Sequence, residues 1–128
     1  MSDGYQPLNP VQVEQKLRQC VTDLYAAEKK LAEARDAETN AELAYRRYFR
    51  QHLLSDECPK VSRGGYTVTE RDAWVEDKCS EWWEHYRLAQ TRCHAAQDHV
   101  RTVRDVTSSV QSIASLVRQA YSMAGSGS

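Results

Sequence analysis

Helix-breaking residues are scarce in this chain of 128 residues, which contains only five glycines and three prolines. They fall within three short segments, at residues 4–10, 59–65 and 125–127. Two runs that contain neither residue remain, 11–58 and 66–124. Runs of 48 and 59 residues are far too long for β-strands and long even for globular helices. The scarcity of glycine and proline therefore predicts an all-α chain with two long helices.

Long apolar runs and an excess of one charge are also missing. No stretch approaches the roughly 18 consecutive apolar residues that a membrane span needs, and the first ten residues lack the basic and apolar regions of a secretory signal. The 17 Lys and Arg balance 18 Asp and Glu, so the net charge of −1 by itself favours neither nucleic acid nor a membrane as a partner. We expect a soluble, cytoplasmic protein with no membrane partner.

The four cysteines form no CxxC pair. Three of them, Cys20, Cys79 and Cys93, fall inside the helical runs at apolar positions, and Cys58 lies near Pro59. This placement is typical of buried free thiols rather than of a disulfide framework or a zinc site.

The first helix has a clear start and a continuous apolar seam. Asn9 can cap the helix, Pro10 suits its first turn, and Gln12 can complete a capping box. Ten of the twelve seam positions are apolar or aromatic, and alanines alternate with larger residues, which allows another helix to approach closely. The seam, spaced alternately by four and three residues, is Val13, Leu17, Cys20, Leu24, Ala27, Leu31, Ala34, Glu38, Ala41, Tyr45, Tyr48 and His52. We predict a helix over residues 10–53.

The second helix shows the same periodicity. Thr67 and Glu70 form the better capping box, with Thr69 and Asp72 as the alternative start. Thirteen of the fourteen seam positions are apolar or aromatic. They are Val75, Cys79, Trp82, Tyr86, Ala89, Cys93, Ala96, Val100, Val103, Thr107, Val110, Ala114, Val117 and Tyr121. We predict a helix over residues 68–122.

The loop at residues 54–67, which contains Pro59 and two glycines, allows the chain to reverse. The predicted fold over residues 10–122 is thus a long antiparallel two-helix coiled-coil hairpin, preceded by an N-terminal arm at 1–9 and followed by a flexible tail at 123–128. Counting residues across the loop predicts that two residues lie opposite each other when their numbers sum to about 121, as for Leu53 and Val68. Val11 then lies near Val110.

This register leaves the end of the second helix projecting past the first, although it is apolar. The exposed stripe predicts self-association of two hairpins into a four-helix bundle, that is, a homodimer. The expected oligomer interface is Val106, Val110, Ile113, Leu116, Val117 and Tyr121. The alternative is that Tyr5, Pro7 and Leu8 of the arm fold back over this overhang.

Aromatic and basic residues concentrate towards the loop end. Eight of the eleven aromatic residues lie in 45–86, and segment 45–71 has a net charge of +3 against −3 for residues 1–44. Tyr45, Tyr48, Trp82 and Tyr86 lie on the seams and are predicted to be core. The off-seam aromatic residues and the nearby cations form the predicted partner-binding site: Phe49, Trp74, Trp83, Arg46, Arg47, Arg50, Lys60, Arg63 and Arg71.

Two partner classes fit this composition. Arginine with aromatic residues is typical of protein interface centres, and the chain contains no recognised nucleic-acid module, so an unidentified protein partner is favoured. The alternative is a nucleic-acid-binding accessory factor in which the same cations hold phosphates.

Catalytic and metal-binding patterns are missing. No glutamate has a histidine three residues later, and no glycine-rich phosphate loop occurs, so we predict a protein that is not an enzyme and has no catalytic residues, metal site or cofactor. His52 with Cys58 is the only pair worth testing for zinc. Glu38 interrupts the first seam, and we interpret it as a buried polar position near Trp82, Trp83 and Tyr86.

The segment from Gly65 to Val75, which reads GYTVTERDAWV, precedes an Ala-rich helix that ends in serine-rich turns. Over residues 60–122 the chain resembles small helical-hairpin proteins encoded by phages of Gram-positive bacteria. The resemblance implies a phage-encoded cytoplasmic protein, an early gene product working near DNA replication or recombination. It assigns no activity and no functional residue.

Overall fold

The computed structural model describes residues 9–126 and contains three helices within them, α1 (Pro10–Leu53), α2 (Val68–Lys78) and α3 (Ser80–Ser126). The described residues form no strand, only an isolated bridge between Val61 and Tyr66. The all-α prediction is therefore confirmed. Most of the predicted arm, residues 1–8, and the last two residues of the predicted tail lie outside the described residues.

Both predicted helix starts carry the expected hydrogen bonds. The side chain of Asn9 accepts from the Gln12 backbone N–H at 2.9 Å, and the Gln12 side chain accepts from the Asn9 backbone N–H at 3.1 Å. Thr67 and Glu70 make the same reciprocal pair, at 3.2 and 3.3 Å. These bonds satisfy backbone donors that a first helical turn leaves unpaired.

The second predicted helix differs from the observed one in two details. Cys79 separates α2 from α3 with backbone angles of φ −101° and ψ 9°, and its N–H contacts the carbonyls of both Val75 and Glu76. This interruption falls at a residue whose side chain is fully buried, so packing sets its position and no glycine or proline marks it. α3 continues to Ser126, beyond the expected end at residue 122, because a glycine near a helix terminus costs too little to stop it.

The connection between α1 and α2 is a structured turn. Ser62 accepts a backbone hydrogen bond from Gly65 at 3.0 Å and donates one to Tyr66 at 3.3 Å. Gly64 has φ 81°, in the left-handed region that side chains disfavour, which explains a glycine at this turn position.

The chain divides into a terminal unit (Met1–Leu31 with Ala96–Ser128) and a middle unit (Ala32–Ala95). In both units the predicted seams are the inward faces. All twelve seam positions of α1 are buried or half-buried, and so are thirteen of the fourteen seam positions of the second predicted helix, Tyr121 being the exception. The four cysteines are free and buried, as predicted.

The predicted register is wrong. In the middle unit Tyr48 stacks on Trp82 and Tyr45 on Tyr86, so the residue numbers of these pairs sum to 130 and 131 instead of 121. Val68, which was expected to face Leu53, is 51% exposed, whereas Leu53 packs against the buried cluster that contains Val75. Burial of the first seam residue, Val75, sets the register, and α2 begins seven residues before it, at Val68.

The predicted overhang of α3 is wrong for the same reason. In the terminal unit Arg104 pairs with Glu28 at 3.1 Å, so the residue numbers of this pair sum to 132. This register places Val11 near Tyr121 rather than near Val110. Val110 and Val117 are half-buried on the seam, and Ala114 between them is buried. Four of the six residues expected at an oligomer interface are nevertheless exposed, namely Val106, Ile113, Leu116 and Tyr121.

None of the helices within residues 9–126 combines the length and the apolarity needed to cross a lipid bilayer.

Two matched substitutions in the terminal unit test the importance of the seam. Val100 is 3% exposed and Val21 is 66% exposed, and both lie in helices. We expect Val100→Ala to lower the free energy of unfolding by roughly 1–3 kcal/mol, because it removes buried carbon atoms and leaves a cavity. Val21→Ala should change it by less than about 0.5 kcal/mol. Urea unfolding at one protein concentration measures both, and equal effects would contradict burial along this seam.

Candidate interaction surface

Stacked aromatic side chains form the interior of the middle unit. The rings of Tyr48 and Trp82 lie 4.2 Å apart with an angle of 12° between their planes, and those of Tyr45 and Tyr86 lie 6.3 Å apart. All four side chains are half-buried. The prediction that they are core residues is confirmed, and they support a surface rather than form it.

A second apolar cluster closes the loop end of this unit. Its buried members are Cys58, Val75 and Cys79, and Tyr45, Tyr48, Phe49, Leu53 and Trp74 pack against it. Phe49 and Trp74 were predicted to be contact residues off the seam, and both are half-buried because Cys58 from the loop widens the core beyond the two seams. Of the three predicted contact aromatics only Trp83 is exposed, and Arg87 lies over its ring at 5.4 Å.

One face of α1 carries exposed arginines between exposed leucines. A hollow of about 470 Å³ on this face is lined by Leu43, Arg46, Arg47, Arg50, Gln51 and Leu54. These residues are spaced by one and three, and Leu54, the first residue after α1, continues the helical pattern because its N–H bonds the Arg50 carbonyl at 3.0 Å. They therefore lie on the same side. Leu43 is 57% exposed and Leu54 is 82% exposed, so the leucines do not belong to the core.

Ion pairing leaves part of this positive charge uncompensated. Arg46 pairs with Glu42 at 2.6 Å, and Arg71, farther along the chain, pairs with its neighbour Asp72 at 3.2 Å. The other predicted cations of the site, Arg47, Arg50, Lys60 and Arg63, form no ion pair with any residue between 9 and 126. Arg47 and Arg50 are therefore the two available guanidinium groups of the α1 face.

The arginine face continues into two aromatic hollows. The first, of about 310 Å³, is lined by Tyr45, Arg46, Phe49 and Arg50. The second, of about 370 Å³, is lined by Tyr45, Glu76, Ser80 and Trp83. Because the hollows share Arg46, Arg50 and Tyr45, they form one continuous surface, which we call the arginine–aromatic surface. It unites five of the nine predicted site residues, namely Phe49, Trp83, Arg46, Arg47 and Arg50.

The remaining four predicted residues lie elsewhere. Lys60 and Trp74 line a separate loop hollow of about 800 Å³, together with Asp56, Glu57 and Glu70. Arg63 and Arg71 line neither surface, and Arg71 is half-buried. The loop hollow has three carboxylates against one lysine, so the expected basic loop end is not a single positive patch.

Leu43 and Leu54 are site residues that the sequence analysis missed. Both are apolar, lie off the seam and follow the spacing of Arg47 and Arg50, so the pattern 43, 47, 50, 54 was visible in the sequence.

The Glu38 position also differs from its prediction. Glu38 is half-buried and lies beside the buried thiol of Cys93 rather than beside Trp82, Trp83 and Tyr86. The shifted register accounts for the difference. Burial raises the pKa of Cys93, and the interaction with the Glu38 carboxylate raises it further, while Arg35 opposes them. Burial likewise raises the pKa of Cys79, and the pKa of Tyr45 is raised by burial and then by Glu76 and Cys79.

Metal ligands do not cluster in the described part of the chain. No group of three or more His, Cys, Asp or Glu side chains between residues 9 and 126 could hold an ion. His52, half of the pair considered for zinc, lies edge-on to the Trp74 ring at 6.3 Å. Cys58, the other half, is buried in the apolar cluster.

Comparisons with protein-family models, curated proteins and solved structures found no match for this chain. The arginine–aromatic surface is therefore interpreted from its own residues. It offers two unpaired guanidinium groups, two exposed leucines and an exposed tryptophan. This combination of residues is typical of the centres of protein interfaces.

The raised thiol pKa values predict a pH dependence of stability. Thiols of the unfolded chain ionise near pH 8.5, whereas Cys79 and Cys93 in the folded chain stay protonated to higher pH. Raising the pH above about 8.5 therefore favours the unfolded state. Urea midpoints should fall between pH 8 and pH 10, and they should fall less for the double variant Cys79→Ala with Cys93→Ala. The same fall in both proteins would contradict the assignment.

Proposed function

We propose that this protein is a non-enzymatic, self-associating helical interaction protein that binds a partner protein through the arginine–aromatic surface. One observation carries the proposal. Leu43 and Leu54 are exposed in the same hollow as Arg47 and Arg50, whose charges no residue of the described chain neutralises. A partner that offers carboxylates and apolar side chains together would satisfy both.

The leucines favour protein over nucleic acid as the partner. A phosphate backbone would engage the arginines but would leave Leu43 and Leu54 without an apolar contact. The carboxylates around Lys60 in the loop hollow also oppose a continuous phosphate-binding path. The binding experiments must therefore distinguish a protein partner from nucleic acid.

We also propose that the whole chain is an antiparallel two-helix coiled-coil hairpin and that two copies form a four-helix bundle. Support comes from each unit by itself. In the middle unit the pairs Tyr45 with Tyr86 and Tyr48 with Trp82 run in opposite chain order. In the terminal unit the pair Glu28 with Arg104 fits the same order, and α3 exposes apolar side chains there.

The resemblance to phage-encoded helical-hairpin proteins extends this proposal to a biological setting. If the chain is phage-encoded, its partner is a cytoplasmic protein of the bacterial host, and the chain acts as a modulator of that protein. Proteins for the capture experiment are then taken from a lysate of that host.

Three single substitutions separate the two partner classes. Arg47→Glu reverses a charge of the surface, Leu54→Ser removes an exposed apolar side chain, and Arg92→Glu makes the same charge reversal at an exposed arginine of α3 that lines none of the three hollows. Proteins retained from the lysate by the unmodified chain should be lost with Arg47→Glu and Leu54→Ser and kept with Arg92→Glu. Quantitative mass spectrometry of the retained proteins measures this.

Fluorescence anisotropy with single- and double-stranded oligonucleotides at low salt is the companion measurement. We expect no binding to the unmodified chain. Binding that Arg47→Glu weakens and Leu54→Ser leaves intact would replace the protein partner with nucleic acid. Capture that is equal for all four proteins would overturn the role of this surface.

A further inference from the structure

The part of α3 in the terminal unit has two chemically different flanks beside its seam. Arg104 pairs with Glu28 and marks one flank, which continues at helical spacing with Ser108, Gln111, Ser115 and Arg118. The opposite flank consists of residues that are all exposed, namely Val106, Ser109, Ile113, Leu116 and Ala120. We call this second flank the apolar stripe.

The apolar stripe contains no charged residue, although the exposed faces of helices usually carry several. Ile113 is 43% exposed and Leu116 is 66% exposed. Between residues 106 and 126 the only charged side chain is Arg118, which lies on the polar flank. Since interface centres are depleted of charged residues and enriched in apolar ones, this composition is typical of a contact surface.

The described residues of α1 do not cover the stripe. The exposed apolar residues Val21 and Tyr25 of α1 share a helix face with Glu28, and therefore lie towards the polar flank of α3. Anything that covers the stripe therefore comes from outside residues 9–126. It must be apolar and needs no particular charge, because the stripe offers no charge to pair with.

The stripe is complementary to itself when two copies run antiparallel about Ile113. Val106 then faces Ala120 of the second copy, Leu116 faces Ser109, and Ile113 faces its own equivalent. Each large side chain thus meets a small one away from the centre, as close helix packing requires. A parallel pair would instead place Leu116 against Leu116 and leave a gap at Ser109.

We propose that a second copy of this chain occupies the apolar stripe, with the two α3 helices antiparallel about a two-fold axis that passes beside Ile113. The dimer is isologous, because each copy contributes the same five residues. The proposal deepens the self-association part of the proposed function and is independent of the arginine–aromatic surface.

A charge placed at the axis tests the dimer. Ile113→Asp sets two carboxylates against each other, so the mass measured by light scattering should fall from twice the chain mass to 14.7 kDa at tens of micromolar. The substitution should raise the dissociation constant of the dimer at least about 100-fold, which corresponds to roughly 2.7 kcal/mol. Ser115→Asp adds the same charge on the polar flank and should leave the mass of the dimer unchanged. Circular dichroism checks that both variants remain helical.

Cysteine substitutions test the orientation. Under mild oxidation Ile113→Cys should cross-link to itself, whereas Val106→Cys should link only to Ala120→Cys in a mixture of the two. In an antiparallel pair the two copies of residue 106 are roughly 21 Å apart along the helix axis, and a disulfide spans less than about 7 Å between Cα atoms. The unmodified chain is the control, since its four cysteines are buried.

Several outcomes would overturn the proposal. A monomeric unmodified chain excludes the second copy, and a dimer that forms only after removal of residues 1–8 identifies the arm as the occupant. Self-linking of Val106→Cys makes the pair parallel, and a dimer unaffected by Ile113→Asp places the interface elsewhere. None of these results alters the capture experiment on Arg47 and Leu54, so the two proposals fail separately.

Discussion

Burial along one narrow seam is the constraint on which the other features of this chain depend. Nine of the ten buried apolar residues in the described chain are seam residues, and most are small, such as Ala27, Cys93 and Ala114. Small side chains let helices approach closely but bury little area each, so the stability comes from the length of the seam. A core of this kind leaves most of each helix in contact with solvent, which makes the outer faces the places where function can reside.

The middle unit shows how the seam supports a surface. Tyr45 takes part in the ring contacts with Tyr86 and Phe49 and also lines both aromatic hollows beside the arginines. The aromatic interior therefore holds the hollows in place while the arginines and leucines remain exposed. Rigid aromatic support beneath polar and apolar contact groups reduces the entropy lost on binding, which is the usual arrangement at the centre of a protein interface.

The two proposed contact surfaces use different chemistry in different units. The arginine–aromatic surface of the middle unit has unpaired positive charge and exposed leucines, so the partner proposed for it carries complementary charge. The apolar stripe of the terminal unit carries no charge and is complementary to itself, so it suits a second copy. Because the two surfaces share no residue, a substitution at one should leave binding at the other intact.

The sequence by itself determined the all-α class, both helix caps, the bounds of α1 and the two buried seams, because caps and periodicity depend on residues close in the chain. It also contained the correct register. When paired residue numbers sum to 130 or 131, each of the twelve seam positions of α1 meets a seam position from Cys79 to Val117, whereas counting across the loop gave 121.

Only the tertiary structure decided that Cys58 joins the core and draws Phe49 and Trp74 towards it, and that Leu43 and Leu54 lie beside unpaired arginines. The physical reason is that such contacts depend on which side chains meet across the seam and the loop, and local spacing carries no information about them.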